Sequence, residues 1–158
     1  MYYANKYRES NQDEKPPAKP KKENKGLKSK TKPLTLVEKL DRVFSQYVRK
    51  SASDDTQMSL CYTCGVGLHW KKLQCGHFMS RKHMATRWSL RNCRPQCSGC
   101  NEVKGGNLEV YAERLKLEYG DQILLSLANL AASTKKFSKQ ELQEKIDYYK
   151  ELNKQLES

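Results

Sequence analysis

Acidic side chains are missing from the middle of this chain: between Asp55 and Glu102 there is none. Lys71, Lys72, Arg81, Lys82, Arg87, Arg91 and Arg94 all fall in that gap. A segment of one sign attracts polyanions, and phosphate neutralisation dominates nucleic-acid affinity. The plainer reading is a solvated basic surface. The same gap excludes any carboxylate from within it as a metal ligand. Long apolar runs are missing too. No run approaches transmembrane length, and the N-terminus has no apolar signal-peptide core, so a soluble cytoplasmic protein with no membrane partner is expected. Hydrophobic side chains are scarce, 37% of the chain against 30% charged, which excludes a large core. The 158 residues suit one modest domain with extensions, and no internal repeat is found.

The formal charge of +12 is unevenly spread. Residues 1–33 carry ten Lys/Arg against four Asp/Glu, residues 34–100 eleven against four, and residues 101–158 nine against ten. Residues 1–33 are rich in Lys, Pro, Asn and Glu and hold few apolar side chains beyond Tyr. Such a segment cannot bury enough surface to offset its ordering entropy. A disordered basic arm is expected, either tracking DNA phosphates or simply solubilising the chain. The near-neutral C-terminal region is a poor DNA grip but suits a support or a homodimer surface.

Order is expected from residue 34. Thr35 and Glu38 fit a capping box, and Leu36, Leu40, Val43, Phe44, Tyr47 and Val48 recur at helical spacing to about Lys50. Residues 34–55 therefore form an N-terminal helical segment and 56–106 the motif-bearing core. Within that core, Leu60 to Gly65 reads as a strand entering a metal knuckle. His69 to His83 has the look of a β-hairpin, and Cys97 to Lys104 opens a helix. Residues 107–158 are helical: Asn107 and Asp121 as caps of two helices, the first ending at Gly120, and Ser138 with Glu141 as the box of the last.

Six cysteines could make three disulfides in a secreted chain. In a reducing cytosol, the spacing of Cys61-x-x-Cys64 and Cys97-x-x-Cys100 favours metal. Paired short loops let four sulfurs meet at about 2.3 Å from one zinc ion, and four thiolates leave it no open position, so the zinc is structural. Cys93 competes with Cys97 for that role, but only Cys97 keeps the two-residue spacing to Cys100. Cys75 and Cys93 then read as buried free thiols. A hairpin and a helix tied by one zinc make a treble-clef arrangement, an α+β fold.

Between and just after the cysteine pairs stand His77, Asn92 and Asn101. Hydrolysing a phosphodiester needs a deprotonated water, and a histidine can take that proton near neutral pH. His77, flanked by Gly76 in the acid-free segment, is the candidate base; His69 and His83 read as structural. Asn92 would orient His77 by a hydrogen bond, and Asn101 would give an oxygen to a divalent cation. Taken singly, each Asn is more often a cap or turn residue, and the case rests on their joint placement.

The succession of Cys-x-x-Cys, Gly76-His77, Asn92, and Asn101 directly after the second Cys-x-x-Cys resembles the HNH endonucleases, in the variant with Asn last. Gly76-His77-Phe78, Thr86-Arg87-Trp88, Gln96-Cys97, Gly106-Asn107 with Tyr111, and Tyr119-Gly120 are similar to the NinG/Rap recombination proteins of tailed phages. So is the leader ending Lys28-Ser29-Lys30-Thr31-Lys32-Pro33-Leu34. The resemblance implies a ββα-metal nuclease core with structural zinc and a catalytic Mg²⁺ or Mn²⁺. It implies branched DNA as substrate (Holliday junctions, D-loops, flaps), in a bacterial host cell. On that basis His77, Asn92 and Asn101 are catalytic, with Asn101 also a ligand of the catalytic ion. The chain departs from the HNH pattern at Gly76, where many relatives place an acidic or second His ligand. Glu102, Glu109 or Glu113 reaching in, His77 itself, or phosphate and water are the alternatives for completing the shell.

Overall fold

A computed structural model of the chain describes residues 33–157. The basic arm expected over residues 1–33 lies, apart from Pro33, outside the described residues. The first helix, α1 (Leu36–Lys50), begins as its sequence dictates: Thr35 accepts from the Glu38 amide, and Glu38 returns the bond to the Thr35 amide. Its buried stripe of Leu40, Phe44 and Val48 packs on Leu142, Ile146 and Tyr149 of α5 (Lys139–Gln155). Phe44 meets Tyr149 edge-on at 5.0 Å, and buried Asn153 donates to the Val43 carbonyl, tying the two helices. Truncating fully buried Leu40 to alanine costs about 2–5 kcal/mol by the usual cavity and transfer effects.

Among the described residues, the strands form two antiparallel ribbons. β1 (Met58–Leu60) pairs with β2 (Gly67–His69), and β3 (Gln74–His77) pairs with β4 (Cys93–Gln96). The hairpin expected over His69–His83 is therefore corrected. That stretch opens on the last residue of β2 and holds one full strand, β3, whose partner β4 lies beyond a connection containing the short helix α2 (Met84–Arg87). With four-residue strands and no turn dipeptide between them, the pairing left no local signal.

The helix expected from Cys97 is a single π-type turn, Gly99–Val103, closed by the Lys104 amide on the Gly99 carbonyl (3.0 Å). Gly105 and Gly106, both at positive φ, then end it. In α3 (Leu108–Tyr119), Asn107 adopts left-handed geometry and makes no side-chain cap, and α4 (Ile123–Ala132) begins after Gln122 rather than on Asp121. Asn107 thus holds the expected N-cap position without its side-chain bond, the cap expected at Asp121 is corrected to Gln122, and Gly120 stops α3 as expected. Tyr111, Leu115, Ile123 and Leu127 form a second core under Tyr62, Phe78 and Met79. The fold is α+β, with the β3–β4 ribbon contacting α1 and small cores in place of one large one. No helix among the described residues is long and apolar enough to cross a membrane.

Candidate metal centre and the cavity beside it

β1 delivers Cys61 into a turn closed by Cys61 N–H on the Val66 carbonyl (2.8 Å) and Gly65 N–H on the Cys61 carbonyl (2.9 Å). Gly65 sits at φ 75, which lets the loop double back toward Cys64. β4 ends immediately before Cys97, and the π-type turn carries Cys100. The Tyr62 amide bonds to the Pro95 carbonyl (2.8 Å), fastening the two loops together. The result is a cluster in which the sulfurs of Cys61, Cys64, Cys97 and Cys100 all lie within 4.8 Å of one another.

This donor set fits a tetrahedral zinc ion. Cys97 N–H points at the Cys61 sulfur (3.3 Å) and Cys100 N–H at the Cys97 sulfur (3.4 Å), the donors a thiolate wants. Burial alone would push the Cys61 thiol up, but the amides of Cys97 and Cys64 and the Thr63 backbone and hydroxyl outweigh it and bring it to about 6. At Cys64 the Val66 amide works downward, but desolvation and the neighbouring sulfurs together push the thiol up to about 12. Cys61 surrenders its proton readily while Cys64 and Cys97 are held above the usual thiol range, as expected of thiols that share one site. These four cysteines can hold zinc.

Next to the cluster lies a cavity of about 620 Å³. His77 and Asn101 both line it, along with Asp41, Arg49, Arg81 and Glu102. Asn101 Nδ2 donates to Gln74 Oε1 (2.6 Å), and Gln74 Nε2 in turn binds the Glu102 carboxylate. Of the carboxylates considered from the sequence, Glu102 reaches the cavity; Glu109 and Glu113 are not part of its lining.

His77 is held between two carbonyls, Nδ1 at 3.1 Å from Cys75 O and Nε2 at 3.0 Å from Arg87 O. Burial pulls its pKa below the usual histidine value, outweighing those two carbonyls and the Asp41 charge. A neutral ring has one N–H, so only one of the two contacts is a hydrogen bond.

Asn92 does not bond to His77. Fully buried, it takes the Met79 amide on Oδ1 (2.6 Å) and donates to the carbonyls of Met79 (3.0 Å) and Thr86 (3.1 Å). The direct bond expected from the sequence is thus replaced by a clamp across the loop that follows His77. Tyr111, also buried, sets its hydroxyl between the carbonyls of Gly76 (3.3 Å) and Asn92 (3.2 Å) and so fixes the same loop from α3.

The position before His77 is closed. Gly76 is covered by Gln96, whose Nε2 donates to Gly106 O (2.7 Å) and Thr63 Oγ1 (3.0 Å).

A match over residues 3–158 to the family model described as bacteriophage lambda NinG protein decides the relationship. The chain belongs to the NinG family. No curated protein and no solved structure matches it. In this NinG-family chain the seven basic residues of the acid-free segment divide. Lys71, Lys72, Arg81, Lys82 and Arg91 are exposed. Arg87 grips Asp41 through Nε (2.9 Å) and Nη2, and Arg94 is spent on Glu118 (2.8 Å) and the Tyr119 hydroxyl, so both are fold braces. Sequence reading missed Asp41, which also accepts from Trp88 Nε1 (2.8 Å), and Arg49, which reaches the Leu73 carbonyl (3.1 Å). Both sit on α1, far from the motifs along the chain, and only the packing of α1 on β3 brings them to the cavity.

Proposed function

We propose that the protein is a structure-selective DNA endonuclease, hydrolysing phosphodiesters in branched recombination intermediates on a zinc-stabilised treble-clef core of the HNH type. The observation that carries this reading is the shared cavity: a half-buried imidazole and an Asn–Glu pair of oxygen donors line one space beside the cysteine cluster. NinG-family membership supports phage recombination as the setting.

His77 would keep one N–H on a carbonyl and turn its other nitrogen from the second carbonyl toward the cavity, where it takes the proton of the attacking water. Its lowered pKa keeps that lone pair free at neutral pH. Arg49 and Arg81 would hold the phosphate. Asn101 and Glu102 would hold a Mg²⁺ or Mn²⁺ ion, which when bound offsets the charge developing on phosphorus and on the leaving oxygen. Asn92 is then a positioning residue, acting through the loop it clamps.

A second reading, a zinc-stabilised nucleic-acid-binding module without catalysis, is favoured by one observation. Both His77 nitrogens face carbonyls, and Gly76 has no room for a ligating side chain. Purified protein offered matched linear, flap and four-way DNA, with and without Mg²⁺ or Mn²⁺, separates the two. Metal-dependent nicking of the branched substrates is expected. Salt-sensitive binding without cleavage in either metal would favour the module.

A further inference from the structure

Two thiols are used neither by the four-cysteine cluster nor by the proposed hydrolysis. Cys75 lies on β3 and Cys93 opens β4. Side chains alternate across a strand, so Cys75 and His77 share one face of β3. Cys93 is the cross-strand partner of His77 and therefore stands on that face as well. It is the face packed against α1, where Cys93 is 1% exposed within the core and Cys75 lies against it. One nitrogen of His77 and the two sulfurs all lie within 4.8 Å of one another. The other face of the ribbon carries Gln74, Gly76 and Gln96, with Gln96 bonded to Thr63 and Gly106 beside the cysteine loops, and offers no thiol.

We propose that Cys75, His77 and Cys93 form a second metal site, binding a borderline-soft divalent ion such as Zn²⁺ through two thiolates and one imidazole nitrogen, with a further position open to the cavity. The donor set selects the ion: two sulfurs and a nitrogen suit zinc and are poor partners for Mg²⁺. Cys75 and His77 both line the cavity, so water or a phosphate oxygen can complete the shell from that side.

The ring contacts agree with a ligand that is waiting. His77 Nε2 and the Cys93 thiol converge on the same Arg87 carbonyl, at 3.0 and 3.6 Å. One acceptor faces a thiol and a ring nitrogen, while the second ring nitrogen faces the Cys75 carbonyl. A neutral ring that donates to Cys75 O is left with its other lone pair against Arg87 O. Turning that lone pair onto a metal resolves the clash and keeps the remaining N–H on a backbone carbonyl, the usual support of a metal-bound histidine. Binding releases the two thiol protons to solvent and involves no oxidation. Two thiolates neutralise the ion, which makes the site tolerable in a half-buried position where two bare thiolates are not.

The consequence for activity rests on the hydrolysis reading. His77 cannot ligate zinc and take a proton from water with the same lone pair, so an ion here switches the base off. Zinc in excess then inhibits Mg²⁺-supported cleavage in the wild type and inhibits Cys75→Ser much less. The site itself is tested without cleavage. Full-length protein stripped of metal is titrated with Co²⁺, and thiolate-to-cobalt absorption is followed. The wild type is expected to take up about two equivalents per chain, and Cys75→Ser about one. Saturation of the wild type at about one equivalent overturns the site, as does a Cys75→Ser chain that still binds about two. Should Cys75→Ser lose both, alkylation of the wild type decides. Zn²⁺ added beyond the first equivalent should shield the Cys75 peptide from iodoacetamide, and unchanged labelling would overturn the proposal.

Discussion

Gln96 lies across Gly76 so closely that a β-carbon at position 76 would stand 2.0 Å from its Oε1 and 2.7 Å from its Cδ. The Gln96 amide cannot swing away, because it is fully buried and its Nε2 is fixed on Gly106 and Thr63. One side chain thus joins the loop of Cys61 and Cys64, the glycine turn after Cys100, and the strand that carries His77. The glycine at this position is a packing requirement, and a carboxylate there has no space.

Gly76→Ala should therefore destabilise the fold by at least about 1–3 kcal/mol through overpacking. Gly76→Asp should do more damage and should not improve divalent-ion binding. Denaturant unfolding checks the first, and Mg²⁺ or Mn²⁺ titration the second. A neutral Gly76→Ala would mean that Gln96 relaxes freely.

Chelation of the four-cysteine cluster should unfold the strand region, since Cys61, Leu73 and Cys100 make up the small core beside it. Cys61→Ser should lower zinc content and broaden thermal unfolding. Retention of metal should also fall with pH, because each reprotonated thiolate is a ligand lost. Metal analysis after dialysis at stepped pH reads this directly. A chain that keeps its melting curve after zinc removal would contradict it.

Asp41 stabilises through Arg87 and Trp88. Burial works against its charge, but their hydrogen bonds and the Arg87 and Arg81 charges win, so its folded pKa lies below the unfolded 3.8. A depressed acid contributes fully above the unfolded value and loses its contribution as pH falls through the folded one. Asp41→Asn should thus destabilise at neutral pH, by about 1 kcal/mol given its partial exposure. The difference from wild type should shrink as pH falls below the unfolded value of 3.8 and through the lower folded one. Parallel melts at neutral and acid pH test the sign.

How much was legible followed how local each signal was. The capping boxes at Thr35 and Ser138 are written within four residues, and both helices start there. The cysteine cluster was readable because two short loops pre-set the pairing of sulfurs. The partner of β3 was not, since nothing within His69–His83 points to Cys93–Gln96. Asp41 was invisible as a site residue because it reads as one more polar position on an amphipathic helix. Only burial of Leu40 and Phe44 turns it to the cavity. Asn92 was placed near the site for the right spacing, but its hydrogen bonds go to Met79 and Thr86, a choice made by loop geometry.

The most direct measurement is cleavage of a four-way or flap DNA with Mg²⁺ by the wild type and by His77→Ala, with zinc content and DNA binding measured on the same samples. The account predicts metal-dependent cleavage whose acid limb lies below the ordinary histidine value of about 6.5, because burial holds His77 neutral. His77→Ala should lose at least about 100-fold in rate, with zinc and binding intact. Cleavage undiminished in His77→Ala, or absent from a wild type that binds DNA and carries zinc, would contradict it.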